Sequence, residues 1–237
     1  MDISTYFQTL ASATNPLLPN ATAMRVALYV MWAVVLGSGT LQLAGKLSRP
    51  YRLGLALLVM ALTLVPGESS PAYWLGLSFQ APSMMSGLIC FSWAFGQGQQ
   101  GATQRTAGGG DPRHTLRILS LLGIVLGWVL LLDTLAWFPF SVYAWGFGSV
   151  AVAVLVVLAA LGWLTEARTR TSGSAPGLKG SLVLCVLVLF ICTRLPTGNV
   201  WDALIDPWLW VALQVGWLVS AARRLKRRKL AAPTTHA

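Results

Sequence analysis

The stretch that decides the fold is 194–229, RLPTGNVWDALIDPWLWVALQVGWLVSAARRLKRRK. It runs from a polar turn through an apolar helix into a tail holding Arg223, Arg224, Lys226, Arg227, Arg228 and Lys229, with no acid among them. Lys and Arg beside an apolar helix stay on the cytoplasmic side of a membrane, so this block fixes where the chain ends. Everything upstream threads from that anchor.

Of the 237 residues, 55% are hydrophobic and only 10% charged, with a mean hydropathy of +0.65. A soluble domain carries about 25% charged residues. So few charges cannot build a water-facing shell. The predicted class is all-α: a polytopic integral membrane bundle of about seven transmembrane helices, at roughly 20 apolar residues each. The net charge of +10 is spread over short segments between apolar runs, with no aromatic-interleaved groove, which argues against nucleic acid. It reads as a topology signal and as contact with anionic lipid at the basic tail.

Cofactor chemistry finds no ligands. Cys90, Cys185 and Cys192 all lie in apolar runs without a CxxC, so neither a disulfide framework nor a zinc site is expected. His114 falls in a loop and His236 at the C-terminus, which rules out a haem held by two histidines within the membrane. No GxSxG, HExxH or paired-carboxylate motif is present. GGGDPR at 108–113 lacks the lysine and hydroxyl of a phosphate loop. These readings point away from an enzyme and toward no cofactor.

Taken in order, residues 1–23 form an outer-face segment. Ile3, Phe7 and Leu10 share one helical face, which predicts a short helix on the membrane surface rather than a signal peptide. The transmembrane domain is 24–222, and 223–237 is a basic cytoplasmic tail. The expected spans are 24–45, 50–65, 72–95, 118–138, 145–164, 178–195 and 207–222. Pro82 is expected to kink the third span, and Gly123 and Gly127 offer a GxxxG ridge on the fourth. Asp206 stands as the N-cap of the seventh, before Pro207. The longest polar loop is 96–117, rich in Gly and Gln, and a Ser/Gly/Pro linker follows the fifth span.

Charge tests this threading. Lys46, Arg49 and Arg52, then Arg105, Arg113 and Arg117, then Arg168, Arg170 and Lys179, and then the tail, all fall on one side of seven spans. The other side receives only Arg25 and Arg194, with Asp2, Glu68, Asp202 and Asp206. That asymmetry places the N-terminus outside and the C-terminus in the cytoplasm. The abundance of Ala, Leu, Val and Gly, with Arg favoured over Lys, suits a bacterial inner membrane. The sequon Asn20-Ala21-Thr22 would face outside, where a eukaryotic source would glycosylate it.

Asp133 is the acid expected within a span, and an intramembrane carboxylate is a functional candidate by default. Its expected partners are Arg194 and Arg25, with Gln80 as a polar neighbour and Asp202 and Asp206 at the same outer level. These six residues form the candidate polar site. The competing reading makes Asp133 half of a structural ion pair and makes Asp202 and Asp206 helix caps. The three outer turns VPGESSPAYWLG, LAWFPFSVYAWG and LPTGNVWDALIDPWLW also resemble one another, as repeated hairpins or as ordinary aromatic-belt turns. The expected function is a non-enzymatic accessory or scaffold subunit with a membrane-protein partner. The alternative is a small-solute or proton-coupled transporter using Asp133.

Overall fold

The computed structural model describes residues 18–96, 112–168 and 178–231. Among them the chain is all-helical, with ten helices and no strand. The surface helix expected near Ile3, most of the 96–117 loop, most of the Ser/Gly/Pro linker and the last six residues lie outside the described residues.

The first helix, α1 (Ala21–Leu43), starts where the Asn20 side chain accepts the Thr22 N–H at 2.9 Å. It is the one described helix both long and apolar enough to cross a membrane by length and composition. Its buried positions are mostly small, Ala27, Ala33, Gly37 and Ser38, so neighbours approach its backbone closely. A Cβ on Gly37 would meet Met60 Cγ at 2.5 Å, which brings in α2 (Arg49–Leu64).

The expected third span is divided into α3 (Pro71–Phe79) and α4 (Met84–Gly96). The break is sharper than a proline kink. Pro82 has no N–H to give, and Gln80 adopts φ 61° and ψ −160°, a region nearly restricted to glycine. Trp32 Nε1 donates to the freed Gln80 carbonyl at 2.9 Å, and Ser38 Oγ donates to Cys90 O at 3.0 Å. Both bonds tie α1 to the broken limb.

The remaining helices are α5 (Pro112–Thr134), α6 (Val142–Trp145), α7 (Ser149–Arg168), α8 (Leu178–Thr193), α9 (Val200–Leu204) and α10 (Pro207–Ala231). The helix α5 starts earlier than the predicted fourth span, and α6 falls mostly in the gap between the predicted fourth and fifth spans. The last helix continues past 222, through the basic residues to Ala231, because Arg, Lys, Leu and Ala are strong helix formers.

A common plan runs through three hairpins, α2 to α4, α5 to α7 and α8 to α10. Each has one unbroken limb and one limb made of a short helix, a break and a longer helix. The short helices are capped alike. Ser70 Oγ accepts from Ala72 N at 3.1 Å, Ser141 Oγ from Ala144 N at 3.2 Å, and Asn199 Oδ1 from Trp201 N at 3.0 Å. Ser and Asn are favoured there because their oxygens take up otherwise orphaned N–H groups.

The core lies where α4, α7, α8 and α9 meet, around Met84, Val152, Val186, Leu187, Phe190, Val200 and Ala203. The segment from Arg194 to Asp206, though largely non-helical, is among the most buried in the molecule. On α5 the GxxxG ridge faces α10. A Cβ on Gly123 would meet Leu213 Cδ1 at 2.7 Å, and one on Gly127 would overlap the Trp210 indole.

Candidate functional site

Asp206 sits between Ile205 and Pro207, where proline opens α10 and the preceding residue is free to cap it. Its Oδ1 accepts the Leu209 N–H at 2.8 Å, the expected capping bond. Its Oδ2 does something the sequence did not suggest. It accepts the Ser83 N–H at 2.8 Å and the Ser86 hydroxyl at 2.5 Å, at the start of α4. One carboxylate, 8% exposed, therefore caps two helices far apart in the chain. Ser83 completes the arrangement, its Oγ accepting the Ser86 N–H at 3.1 Å. Both helix N-termini present partial positive charge to the carboxylate, which offsets much of the cost of burying it.

Beside this clamp, α1, α4 and α10 leave a groove of about 160 Å³. Its walls include Trp32, Trp93, Trp208 and Ile89 and are almost wholly apolar, although Ser86 and Asp206 are among the residues that line it. Trp208 is braced edge-to-face by Phe79, with ring centroids 4.8 Å apart.

A second polar cluster joins α5, α6 and α9. Asp133 accepts from Val142 N at 3.0 Å, Tyr143 N at 2.8 Å and Ser141 Oγ at 3.1 Å. It is a cap for α6, supplied from the last turn of α5. Asp202 accepts the Tyr143 hydroxyl at 2.7 Å and the Thr197 hydroxyl at 2.5 Å. Asn199 Nδ2 donates to Tyr143 O at 2.9 Å, Trp201 Nε1 to Val142 O at 3.0 Å, and Val200 N to Gly146 O. A Cβ on Gly146 would strike Asn199 and Trp201, so α6 and α9 touch backbone to side chain. Burial first, and the Asp202 carboxylate second, push the Tyr143 phenol well above its ordinary range.

The six expected site residues thus divide. Tyr143 brings Asp133 and Asp202 into one network. Gln80 and Asp206 meet at the break before α4, although Gln80 contributes its carbonyl there rather than its amide side chain. Arg194 is buried at the end of α8, with φ 56° and its guanidinium carbon 5.3 Å from the Phe190 ring centroid. Arg25 is exposed on α1. The hydrogen bonds of Asp133 run to the start of α6, where Arg194 and Arg25 had been expected as its partners. Ser86, Tyr143 and Thr197 were not anticipated. The Ser83-x-x-Ser86 spacing after Pro82 was the available signal for an N-terminus there.

Among the described residues, no group of three or more His, Cys, Asp or Glu is placed to hold a metal ion. Comparisons with protein-family models, with curated proteins and with solved structures found no match.

Proposed function

We propose that the chain is a seven-span protein of the plasma membrane, most simply a bacterial inner membrane, with its N-terminus outside. In this reading it is a non-enzymatic accessory or scaffold subunit. The observation that carries the reading is the use of the outer acids. Asp133, Asp202 and Asp206 hold the chain's own turns and helix starts together, as a structural subunit needs. Many large apolar side chains point outward, among them Leu57, Leu62, Leu122, Val150, Val157 and Leu218, and suit lipid or a partner's helices. The basic residues clustered between spans supply the orientation and contact with anionic lipid.

Reporter fusions after Ser69 and after Gly110 test the topology. A cytoplasm-only reporter is expected to be silent at Ser69 and active at Gly110, and activity at Ser69 sinks the orientation. Extraction in mild detergent tests the role: a scaffold co-purifies with a defined membrane partner, and a chain that stays alone counts against it.

The second reading is a small-solute or proton-coupled transporter. One observation favours it: the limb α3–α4 is interrupted after nine helical residues, roughly 13 Å from its outer end. Breaks of that kind are tolerated at membrane depth where they are buried in protein or line a cavity. Flux that survives both Asp133→Asn and Asp206→Asn would exclude either carboxylate as the coupling group.

A further inference from the structure

The apolar groove between α1, α4 and α10 is continued along the last helix by a line of residues that ends in positive charge. Ala212, Gly216, Val219, Arg223 and Lys226 follow one another at spacings of four, three, four and three, which puts them on one face of α10. Ala212 lines the groove, so this is the face that meets it. All five residues are exposed, and a Cβ on Gly216 would meet nothing within 4 Å. An open apolar lane therefore leads from the groove to two cations, with no acid between Asp206 and the end of the helix. Arg224 is turned about 100° from Arg223 and stands off the lane.

We propose that one anionic glycerophospholipid binds along this lane, its phosphate at Arg223 and Lys226 and one acyl chain in the groove. The lengths agree. Ala212 and Arg223 are eleven residues apart, roughly 16 Å along the helix, against about 15 Å for the half of the hydrocarbon core that an acyl chain fills. The groove is almost wholly apolar, as a chain requires, and Trp32 and Trp208 are held by the Gln80 carbonyl and by Phe79 before any chain arrives. Charge fixes the direction of the lipid. A phosphate is repelled from the far end of the groove, where the Asp206 carboxylate is committed to three internal donors. A free phosphate would use the two cations and leave the groove unfilled. The site deepens the anionic-lipid contact of the reading above and rests on its membrane-spanning helices. Binding measured in detergent involves neither orientation nor a protein partner, so its failure and the failure of that reading are told apart.

The test is native mass spectrometry of the full chain, released from a neutral detergent with dioleoyl phosphatidylglycerol or dioleoyl phosphatidylcholine. Phosphatidylglycerol is expected to saturate a first site at least about fivefold below the concentration that phosphatidylcholine needs, since each cation near a lipid surface contributes about that factor. Arg223→Gln and Lys226→Gln should each weaken the site by about fivefold, and Arg224→Gln, which removes the same charge from another face, by less than about twofold. Gly216→Trp fills the lane where space is open and should weaken the site by at least about threefold with every cation in place. Glycerophosphoglycerol, the head group without chains, is expected not to bind in the same range. Equal saturation by the two lipids, equal losses in Arg223→Gln and Arg224→Gln, unchanged affinity in Gly216→Trp, or a head group that binds as tightly as the lipid overturns the proposal.

Discussion

Replacing Asp206 by asparagine perturbs two helices with one atom. Asparagine keeps a single acceptor oxygen. If that oxygen stays with Ser83 N and Ser86 Oγ, the new NH₂ group faces the Leu209 N–H, donor against donor. One charge-assisted bond is then lost, at about 1.5–3 kcal/mol. The other two fall to neutral strength, and both helix N-termini lose a favourable charge worth about 0.3–1 kcal/mol each. The total is roughly 3–5 kcal/mol, which lowers the melting temperature by about 6–20 °C for a chain of this size. Asp206→Ala should be worse, since three buried donors lose their acceptor together. Thermal unfolding in detergent, followed by circular dichroism, measures the loss. A double-mutant cycle with Ser86→Ala isolates the link between helices, with a coupling of about 1–3 kcal/mol expected. A melting temperature for Asp206→Asn within about 2 °C of the parent, or a coupling near zero, refutes the double cap.

Other perturbations probe separate joints. Gly127→Ala drives a methyl into the Trp210 indole and should cost about 1–3 kcal/mol, whereas Gly162→Ala, with open space around it, should be neutral or slightly stabilising; paired melting curves compare them. Ala136 occupies φ 54°, so Ala136→Gly should stabilise by about 0.5–1 kcal/mol, and a lower melting temperature would contradict that backbone assignment. Tyr143 lies in the short helix α6, and its phenol is held above the ordinary value of 10.0 in the folded protein. The folded state therefore keeps this proton to higher pH than the unfolded chain does. The resulting stability is complete below pH 10 and is lost as pH rises through the folded value, so melting temperature should fall above pH 10 in the parent and fall less steeply in Tyr143→Phe.

The all-helical class and the starts of α2, α3, α8 and α10 were legible because composition and local rules govern them. Pro50 and Pro207 each open a helix as first-turn prolines should, and Asp206 caps the last helix as expected, whereas the cap of α9 is Asn199 and Asp202 instead accepts two hydroxyls. The Gly123 and Gly127 ridge was legible for the same reason. What stayed hidden depends on distance along the chain. The partners of Asp206 at Ser83 and Ser86 lie more than a hundred residues away, and a single sequence carries no pairing information across that gap. The bonds of Asp133 stayed hidden for a local reason. Its position at the end of a span suggested an ion pair, but the turn at 135–141 folds back far enough for it to cap α6. The groove, too, was invisible, since Trp32, Trp93 and Trp208 come from three separate segments and become neighbours only through the fold.

The double cap also imposes an order on biosynthesis. The Ser83 N–H and the Asp206 carboxylate are 123 residues apart, and at about 5–20 residues per second the ribosome needs roughly 6–25 s to travel between them. Throughout that interval the start of α4 has only Ser83 Oγ to rely on, with its other donors waiting for an acceptor not yet made. The broken limb that emerges early is finished by the hairpin that emerges last. A chain stopped before Asp206 could contain every residue of α3 and α4 and still lack the part that closes them.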